Sequence, residues 1–571
     1  MAGAVAALAA AVLAVSPVLP TPPAVTPPHT ATSGGRHALP GPAIEPTYGV
    51  AVELSTCFWD PPPSGFLPVR VEIRNDAPRA REYRATFNAS GGYYRYGTTF
   101  QSSHTLPVPA ESVRRFDLLV PMRAGPSSGG LPNSMQLGFD GPGSPLEPVS
   151  LFMNNYYLHS GSGHRGHTPW VGVSESLATA HWETAKTLLG TRDSTLLVGS
   201  RFDPACLPAD WRAYAGFSGL ALTRDEWHDL APAARVGIER WIARGGRLWL
   251  AGGEALPSRL GFGEIRGLAP KEEWTAATLA DAVLALRDTP AGTYHSWSLA
   301  TELGAPAFPK GLMLTFITGF ALLVGPVNLF GFCRRQNRHR IFWTTPLIST
   351  AASLGIGAVI LLQDGTGGRG ERLVLVGLLP DRHEEVVLQE QLARTGLLLG
   401  SRFGVPESVW LEPIDIDATV GTRGLQLERA GDVFSGEWFV SRAVQGQIVE
   451  AVRSSRSRLE LDHAKGQNPV LVSTVPDTLT DVYYVDADGG YWHGANAEPG
   501  RKLELTRADE QAFDKWWATT TAHHGPRLDE ALGKVAPRTI VAAARTSTAA
   551  LPTLGSIRWH DRDVVYVQPG M

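Results

Sequence analysis

Cysteine is nearly missing from this chain: 571 residues carry three, Cys57, Cys206 and Cys333. A disulfide-stapled scaffold needs an even, closely spaced set, and a zinc ribbon needs paired Cys-x-x-Cys units. Neither pattern is present. Cys333 falls at the end of a long apolar run, so only Cys57 and Cys206 are placed to meet, and the strand and helix patterns assign them to different domains. Lysine is scarce as well, with seven of the 51 basic residues. The remainder are arginine, which together with abundant Ala, Gly and Pro reads as the usage of a GC-rich bacterial genome. The net charge of −4 offers no basic excess for a polyanion, so nucleic acid is not an expected partner. No short internal repeat stands out. The length leaves room for three or four domains.

What the chain does contain is a pair of apolar runs between Gly311 and Leu362. GLMLTFITGFALLVGPVNLFGF (311–332) and IFWTTPLISTAASLGIGAVILL (341–362) carry no charge. Each is about 20 residues, the length a helix needs to cross about 30 Å of hydrocarbon. The connector holds Arg334, Arg335, Arg338, Arg340 and His339 and no acidic residue. Short Arg-rich loops stay in the cytoplasm. The expectation is a two-helix hairpin in the lipid bilayer of the cytoplasmic (inner) membrane, multi-pass, with both large flanks extracytoplasmic. Thr315 and Gly319, and Ser349, Ser353 and Gly357, recur every four residues, a spacing that lets two membrane helices approach closely. Asn328 is expected to bond across the pair. Pro326 and Pro346 are tolerable because neighbours satisfy the freed carbonyls. A transport role wants ionisable groups within the span, and none is there.

The flanks divide by periodicity. Residues 1–46 read as an apolar signal peptide or anchor (Ala2 to Leu19) followed by a Pro-rich linker, although no basic residue precedes the apolar run. In 47–149 short alternating runs such as PVRVEIRND and REYRATFNAS, with Val69, Val71 and Ile73 on one face, predict an antiparallel sandwich of immunoglobulin-like type. In 150–295 the period changes. Helix Glu175–Leu189, strands TLLVGS and SGLALT, a helix opened by Pro232, a Gly245-Gly246 stop and strand RLWLAGG predict a parallel α/β sheet. Residues 296–370 hold the hairpin. Residues 371–571 return to strands, with a helix carrying Phe513, Trp516 and Trp517, and predict a β-rich extracytoplasmic domain. The fold class is therefore multidomain α/β plus β.

The run LPADWRAYAGFSGLALTRDEWHDLAPAARVGIERWIARGGRLWLAGG resembles the class I glutamine amidotransferase-like domain of uncharacterised bacterial membrane-anchored proteins, and GPVNLF with its basic turn resembles their hairpin. The resemblance spans about Val171 to Gly253 and implies architecture more than activity. Enzymes of that fold carry a nucleophilic Cys on a strand-to-helix elbow, paired with a His. The nearby thiol here, Cys206, lies between Pro204 and Pro208 without a small-residue elbow, and no Gly-x-Ser-x-Gly occurs in this segment. The domain therefore reads as degenerate, and no catalytic, cofactor or metal residue is assigned.

Parallel α/β sheets bind ligands beyond the carboxyl ends of their strands. That rule selects Ser200 and Arg201 after one strand, and Gly252, Gly253 and Glu254 after another, as a candidate ligand or partner crevice. Weaker candidates have bland alternatives. His159, His164 and His167 lie in a Gly-rich loop whose spacing fixes no zinc geometry. Tyr93, Tyr94 and Tyr96 suit either a sugar platform or a half-buried strand. Asp486 and Asp488 begin like a calcium loop but lack its later ligands, so a hairpin turn is the better reading. The functional expectation is a non-catalytic envelope protein whose outer domains bind or scaffold extracytoplasmic proteins. The alternatives are a hydrolase or amidotransferase-type enzyme and a carbohydrate-binding module.

Overall fold

A computed structural model describes residues 35–62, 64–91, 98–122, 133–154, 170–192, 199–252, 258–268, 275–287, 294, 297–303, 310–332, 338–406, 408–414, 416, 425–462 and 468–570. The signal or anchor segment, Tyr93, Tyr94, Tyr96, the three loop histidines, Gly253, Glu254, Arg334 and Arg335 lie outside the described residues.

The first sheet joins His37–Leu39, Val50–Thr56, Gly65–Asn75 and Ser112–Met122, all antiparallel. Alternation decides its faces: Val69, Val71 and Ile73 are buried while Arg70, Glu72 and Arg74 between them point away. They pack on Ala85, Phe87 and Met135 of a second sheet, so the two sheets share one core. That second sheet crosses the expected division of the chain. Arg81–Gly91, Thr98–Val108, Asn133–Asp140 and Val149–Asn154 are extended by Gln426–Ala430, Val433–Gly436 and Phe403–Gly404 from the C-terminal region. Gln426–Ala430 runs parallel to Thr98–Val108, with Leu427 opposite Phe100.

The α/β unit is a six-stranded sheet in the order Gly199–Phe202, Val171–Ser174, Gly219–Thr223, Arg247–Ala251, Gly263–Leu268, Ser258–Leu260. All neighbours are parallel except the last pair. Val171, Val173, Ala221, Trp249 and Ala251 bury against helices Glu175–Arg192 and Ala276–Arg287. The alternate residues Leu220, Leu222 and Leu248 bury with Ile238, Trp241 and Ile242 of helix Pro232–Ala243. Pro232 opens that helix, where its missing N–H is harmless, and Gly245 at φ +126° ends it.

A nine-stranded sheet follows the hairpin: Trp410–Ile414, Val444–Ser454, Glu384–Thr395, Gly368–Leu379, Ile557–Gln568, Thr539–Ala544, Leu479–Val485, Tyr491–Ala497, Thr506–Ala508. Strand Gly368–Leu379 is covered on both faces, which explains its unbroken apolar run. Leu373, Leu375 and Leu379 join the core of the sandwich and the α/β unit, while Val374, Val376 and Leu378 join the sheet's own second core. One apolar core thus runs through three of the expected domains. A small sheet of Leu459–Asp462, Val470–Ser473 and Lys502–Glu504 flanks it. Helices Glu510–Thr520 and Pro526–Leu532 pack nearby, and Phe513 is buried beside Trp516 and Trp517, so that aromatic group is core.

The apolar runs form helix Lys310–Leu322, continued as a π-helix over Leu323–Phe332, and helix Ile341–Asp364. The wider turn coincides with Pro326, whose ring and missing N–H break the ordinary α ladder. Both segments are long and apolar enough to cross a membrane. The protein leaves them uncovered: Leu314, Phe330, Phe342, Trp343, Leu347 and Leu354 are all exposed. A helix pair from a soluble core would be covered. Asn328 is buried and donates to the Thr345 hydroxyl at 3.0 Å. The small-residue expectation needs correction. A side chain at Gly319 or Gly357 would meet nothing within 4 Å, and Thr315 bonds back to its own helix at Gly311. The close approach is instead Phe316 against Gly355. The second helix enters the large sheet after only Gly365, Thr366 and Gly367, and these are themselves tied down. Leu397 N–H donates to the Gly365 carbonyl at 3.0 Å, and Gly367 N–H donates to the Leu397 carbonyl at 2.9 Å.

Candidate functional site

Of the expected crevice residues, the described ones, Ser200, Arg201 and Gly252, are not brought together. Ser200 and Arg201 lie within strand Gly199–Phe202, below its carboxyl end. Ser200 pairs in register with Gly172, hence with Leu220 and Leu248. Gly252 lies four residues beyond that level, about 13 Å along the strand, and three strand spacings, roughly 14 Å, to the side. Ser200 is fully buried; its Oγ accepts the Asp60 N–H at 3.0 Å and lies 3.1 Å from the Arg201 carbonyl. The Arg201 guanidinium stacks over Trp59 at 4.2 Å. Both side chains hold the sandwich to the α/β unit. Gly252 is exposed at φ +93° with open space around it.

The strand order puts the topological switch point between Val171–Ser174 and Gly219–Thr223. The chain fills this place itself. Thr223 caps helix Arg224–Asp229 by accepting the Glu226 N–H at 3.1 Å, and Glu226 accepts the Thr223 N–H at 2.8 Å. The second Glu226 oxygen accepts from Ser176 at 2.7 Å. Hydroxyl and carboxylate thus bridge the two strand ends.

Cys206 sits in a short turn, buried, with its thiol donating to the Asp203 carbonyl at 3.1 Å. Cys57 lies against it, donating to the Cys206 carbonyl at 2.6 Å. The two residues come from segments expected to lie in different domains, and they meet where those segments adjoin. The Cys206 partner, burial and the charge of a Cys206 thiolate push the Cys57 thiol well up. Cys206 moves down, chiefly through its side-chain contact with Cys57, with Arg36 assisting against the cost of burial.

Beside this pair opens a cleft of about 540 Å3 where sandwich, α/β unit and the inserted strand Gln426–Ala430 converge. Arg36, Arg70, Arg212 and Arg429 line it together with Asp117 and Asp210. Arg70 grips Asp117 with Nε at 2.7 Å and Nη2 at 2.9 Å, and that contact holds the Asp117 carboxyl below its usual range. Arg212 clasps Asp210, which also accepts the Arg212 N–H at 2.9 Å. Four guanidiniums against two carboxylates leave the lining cationic. These residues come from five segments spread from Arg36 to Arg429, so no local spacing announces them.

A second buried network joins the α/β unit to the large sheet. Arg244, just past helix Pro232–Ala243, pairs with Glu450, and Arg527 donates to the other Glu450 oxygen at 2.6 Å. Glu390 accepts the Tyr294 hydroxyl at 2.5 Å and the N–H groups of Gly525 and Arg527 at 2.6 and 3.0 Å. Asp486 behaves as a turn residue, accepting from Asp488, Gly490 and Trp492, and strands Leu479–Val485 and Tyr491–Ala497 form the expected hairpin. Among the described residues no group of three or more His, Cys, Asp or Glu is placed to hold a metal.

No protein-family model matches the chain, and no curated protein matches it. Solved structures give faint likenesses. A beta-glucuronidase 2 of Bacteroides uniformis aligns at TM-score 0.14 and 12% identity, over 37% of this chain and 24% of its own. A beta-D-mannosidase from Dictyoglomus thermophilum aligns at TM-score 0.14 and 9% identity, over 83% of this chain and 76% of its own. A glycoside hydrolase family 2 beta-glucuronidase aligns at 0.13 and 8%, over 89% and 61%. Scores of this size carry no argument about fold or activity.

Proposed function

We propose that the chain is a membrane-anchored cell-envelope protein whose head, outside the cytoplasm, binds or scaffolds other proteins without catalysing a reaction. The observation that carries this reading is the uncovered apolar helix pair feeding directly into the sheet of a large multi-sheet head. The basic connector with Arg338 and Arg340 supports a cytoplasmic turn, hence a multi-pass placement in the inner membrane. The immunoglobulin-like label for the sandwich and the amidotransferase-like label for the α/β unit belong to this proposal. The parallel strand order supports the second. Within that unit, the closed switch point and the placement of Cys206 in a short turn rather than on a strand-to-helix elbow favour a binding role over catalysis. The cationic cleft is the surface the head offers to acidic groups of a protein partner.

Two measurements test the reading. Reporter fusions at Arg338 are expected to be active only as cytoplasmic reporters, and fusions after Met571 only as exported ones. A cytoplasmic C-terminus would overturn the placement. Pull-down from detergent-solubilised membranes is expected to recover the same partners with the wild type and with Gly252→Ala, and to lose them with Arg429→Glu. Undiminished recovery with Arg429→Glu would remove the cleft from the proposal.

A further inference from the structure

We propose that Cys57 and Cys206 close a disulfide that staples the sandwich to the α/β unit, with a disulfide-bearing oxidant as electron acceptor. The inference rests on the extracytoplasmic placement of the head proposed above, because that compartment keeps disulfides oxidised.

Geometry supplies the argument. The two residues are 149 positions apart, yet the Cys57 sulfur lies 2.6 Å from the Cys206 carbonyl oxygen, and the Cys206 sulfur lies 3.9 Å from the Cys57 carbonyl oxygen. Their backbones run side by side: Trp59 N–H donates to the Arg201 carbonyl at 3.0 Å, and Phe58 bridges Phe202. Pairing needs Cα atoms about 4.4–6.8 Å apart with side chains turned toward one another. In the structure both are free thiols, and the reciprocal sulfur-to-carbonyl contacts set the two residues side by side. Cys57 is fully buried at the cleft wall and Cys206 keeps 5% of its surface exposed, so an oxidant meets the pair first at Cys206.

The chemistry balances as ordinary exchange. The Cys206 thiolate, favoured by its side-chain contact with Cys57 and by Arg36, attacks one sulfur of the oxidant's disulfide and expels a thiolate, which takes up a proton. The Cys57 thiol then loses its proton and attacks the Cys206 sulfur of the mixed disulfide, expelling the second thiol. Two protein thiols are oxidised and one oxidant disulfide is reduced to two thiols. Cys333, placed by the sequence in the basic connector, stays on the reducing side and takes no part.

The test counts thiols on the full-length chain. Membranes from expressing cells are acid-quenched, denatured and treated with a maleimide polymer that adds a fixed mass per free thiol. One adduct, at Cys333, is expected before reduction and three after it. Tryptic mapping is expected to find peptide 37–70 linked to peptide 202–212. Cys57→Ser is expected to give two adducts before and after reduction. In a second arm the purified chain in detergent is fully reduced, freed of reductant, and exposed to oxidised glutathione. A link in both arms supports the staple and the outer placement together. A link only with glutathione supports the pairing and overturns the outer placement. Three free thiols in both arms overturn the staple.

Discussion

Arg244 and Glu450 are 206 positions apart in the chain and form one buried ion pair, with the guanidinium lying 4.1 Å over the ring of Trp410. The pair joins the end of an α/β helix to strand Val444–Ser454, second from one edge of the large sheet. Glu450 answers two cations, since Arg527 binds its other oxygen and also donates to the Arg244 carbonyl at 2.8 Å. Removing one partner of such a group strands charge away from water, which typically costs about 3–5 kcal/mol. Glu450→Gln is therefore expected to lower stability by about that amount. Denaturant unfolding of the detergent-solubilised chain, followed by tryptophan fluorescence, measures it. Asp76→Asn, which breaks the exposed pair with Arg74, is expected to change little. Equal effects of the two variants would contradict a buried weld.

Glu390 predicts a pH dependence. Burial pushes its carboxyl up to about 7, although Tyr294 and the N–H groups of Gly525, Arg527 and Leu528 pull it down. In the unfolded chain the value returns to about 4.3. Between those values the folded state holds the proton more firmly, so this contribution to stability is complete below the unfolded value and is lost as pH rises through about 7. His524 acts in the opposite sense: burial, with a smaller effect from His523, brings it to about 4, so its contribution is present above about 6.5 and lost on acidification. Comparison with Glu390→Gln isolates the first effect. Wild-type stability relative to that variant is expected to fall by roughly 3 kcal/mol from pH 4.5 to pH 8. A constant difference across that range would count against the assignment.

Gly216 predicts a steric limit at the sandwich junction. A Cβ there would stand 2.2 Å from the Ser64 carbonyl oxygen, and one at Gly65 would stand 2.5 Å from the Gly216 nitrogen. Gly216→Ala is expected to cost about 1–3 kcal/mol, as overpacking does. Faster limited proteolysis within residues 57–66 would register the same wedge, and an unchanged cleavage rate would oppose it.

Asn328→Leu tests the hairpin. Its hydrogen bond to Thr345 joins the two helices at 3.0 Å. Bonds of this kind within membranes are worth about 0.6 kcal/mol on average and at most about 1.7. The variant is expected to insert normally and to weaken helix pairing by about that much, measured by unfolding in a detergent titration. Thr315→Ala, whose hydroxyl serves its own helix, is expected to leave pairing unchanged.

Much of this architecture is legible in one sequence because it depends on local period. The alternation of Val69, Val71 and Ile73, the Pro232 start with its glycine stop, and the two uncharged runs each identify their element within a dozen or so residues. What is not legible depends on distance along the chain. Gln426–Ala430 and Phe403–Gly404 are too short and polar to declare themselves as strands of a sheet begun 300 residues earlier. Cys57 with Cys206, and Arg244 with Glu450, meet only after the cores have formed. For Ser200 and Arg201, the crevice expectation fails at a strand end. Residues 195–198 lie outside the described residues, the strand runs on to Phe202, and Ser200 becomes an internal residue rather than a rim. The small-residue expectation failed because four-residue spacing identifies a helix face without saying which face meets the partner.

The bonded Gly365-Thr366-Gly367 link has a mechanical consequence. Three residues span at most about 11 Å even when fully extended, and two of these are clamped to Leu397. In the placement proposed above, the head therefore rides on its second apolar helix as a blade on a short rigid shaft. A tilt of that helix in the bilayer becomes a tilt of strand Gly368–Leu379, and with it of the apolar core through which the sandwich and the α/β unit are joined. In the placement proposed above, a partner would have to approach within reach of the membrane surface, and one that bends or thickens the bilayer would turn the whole head without touching it.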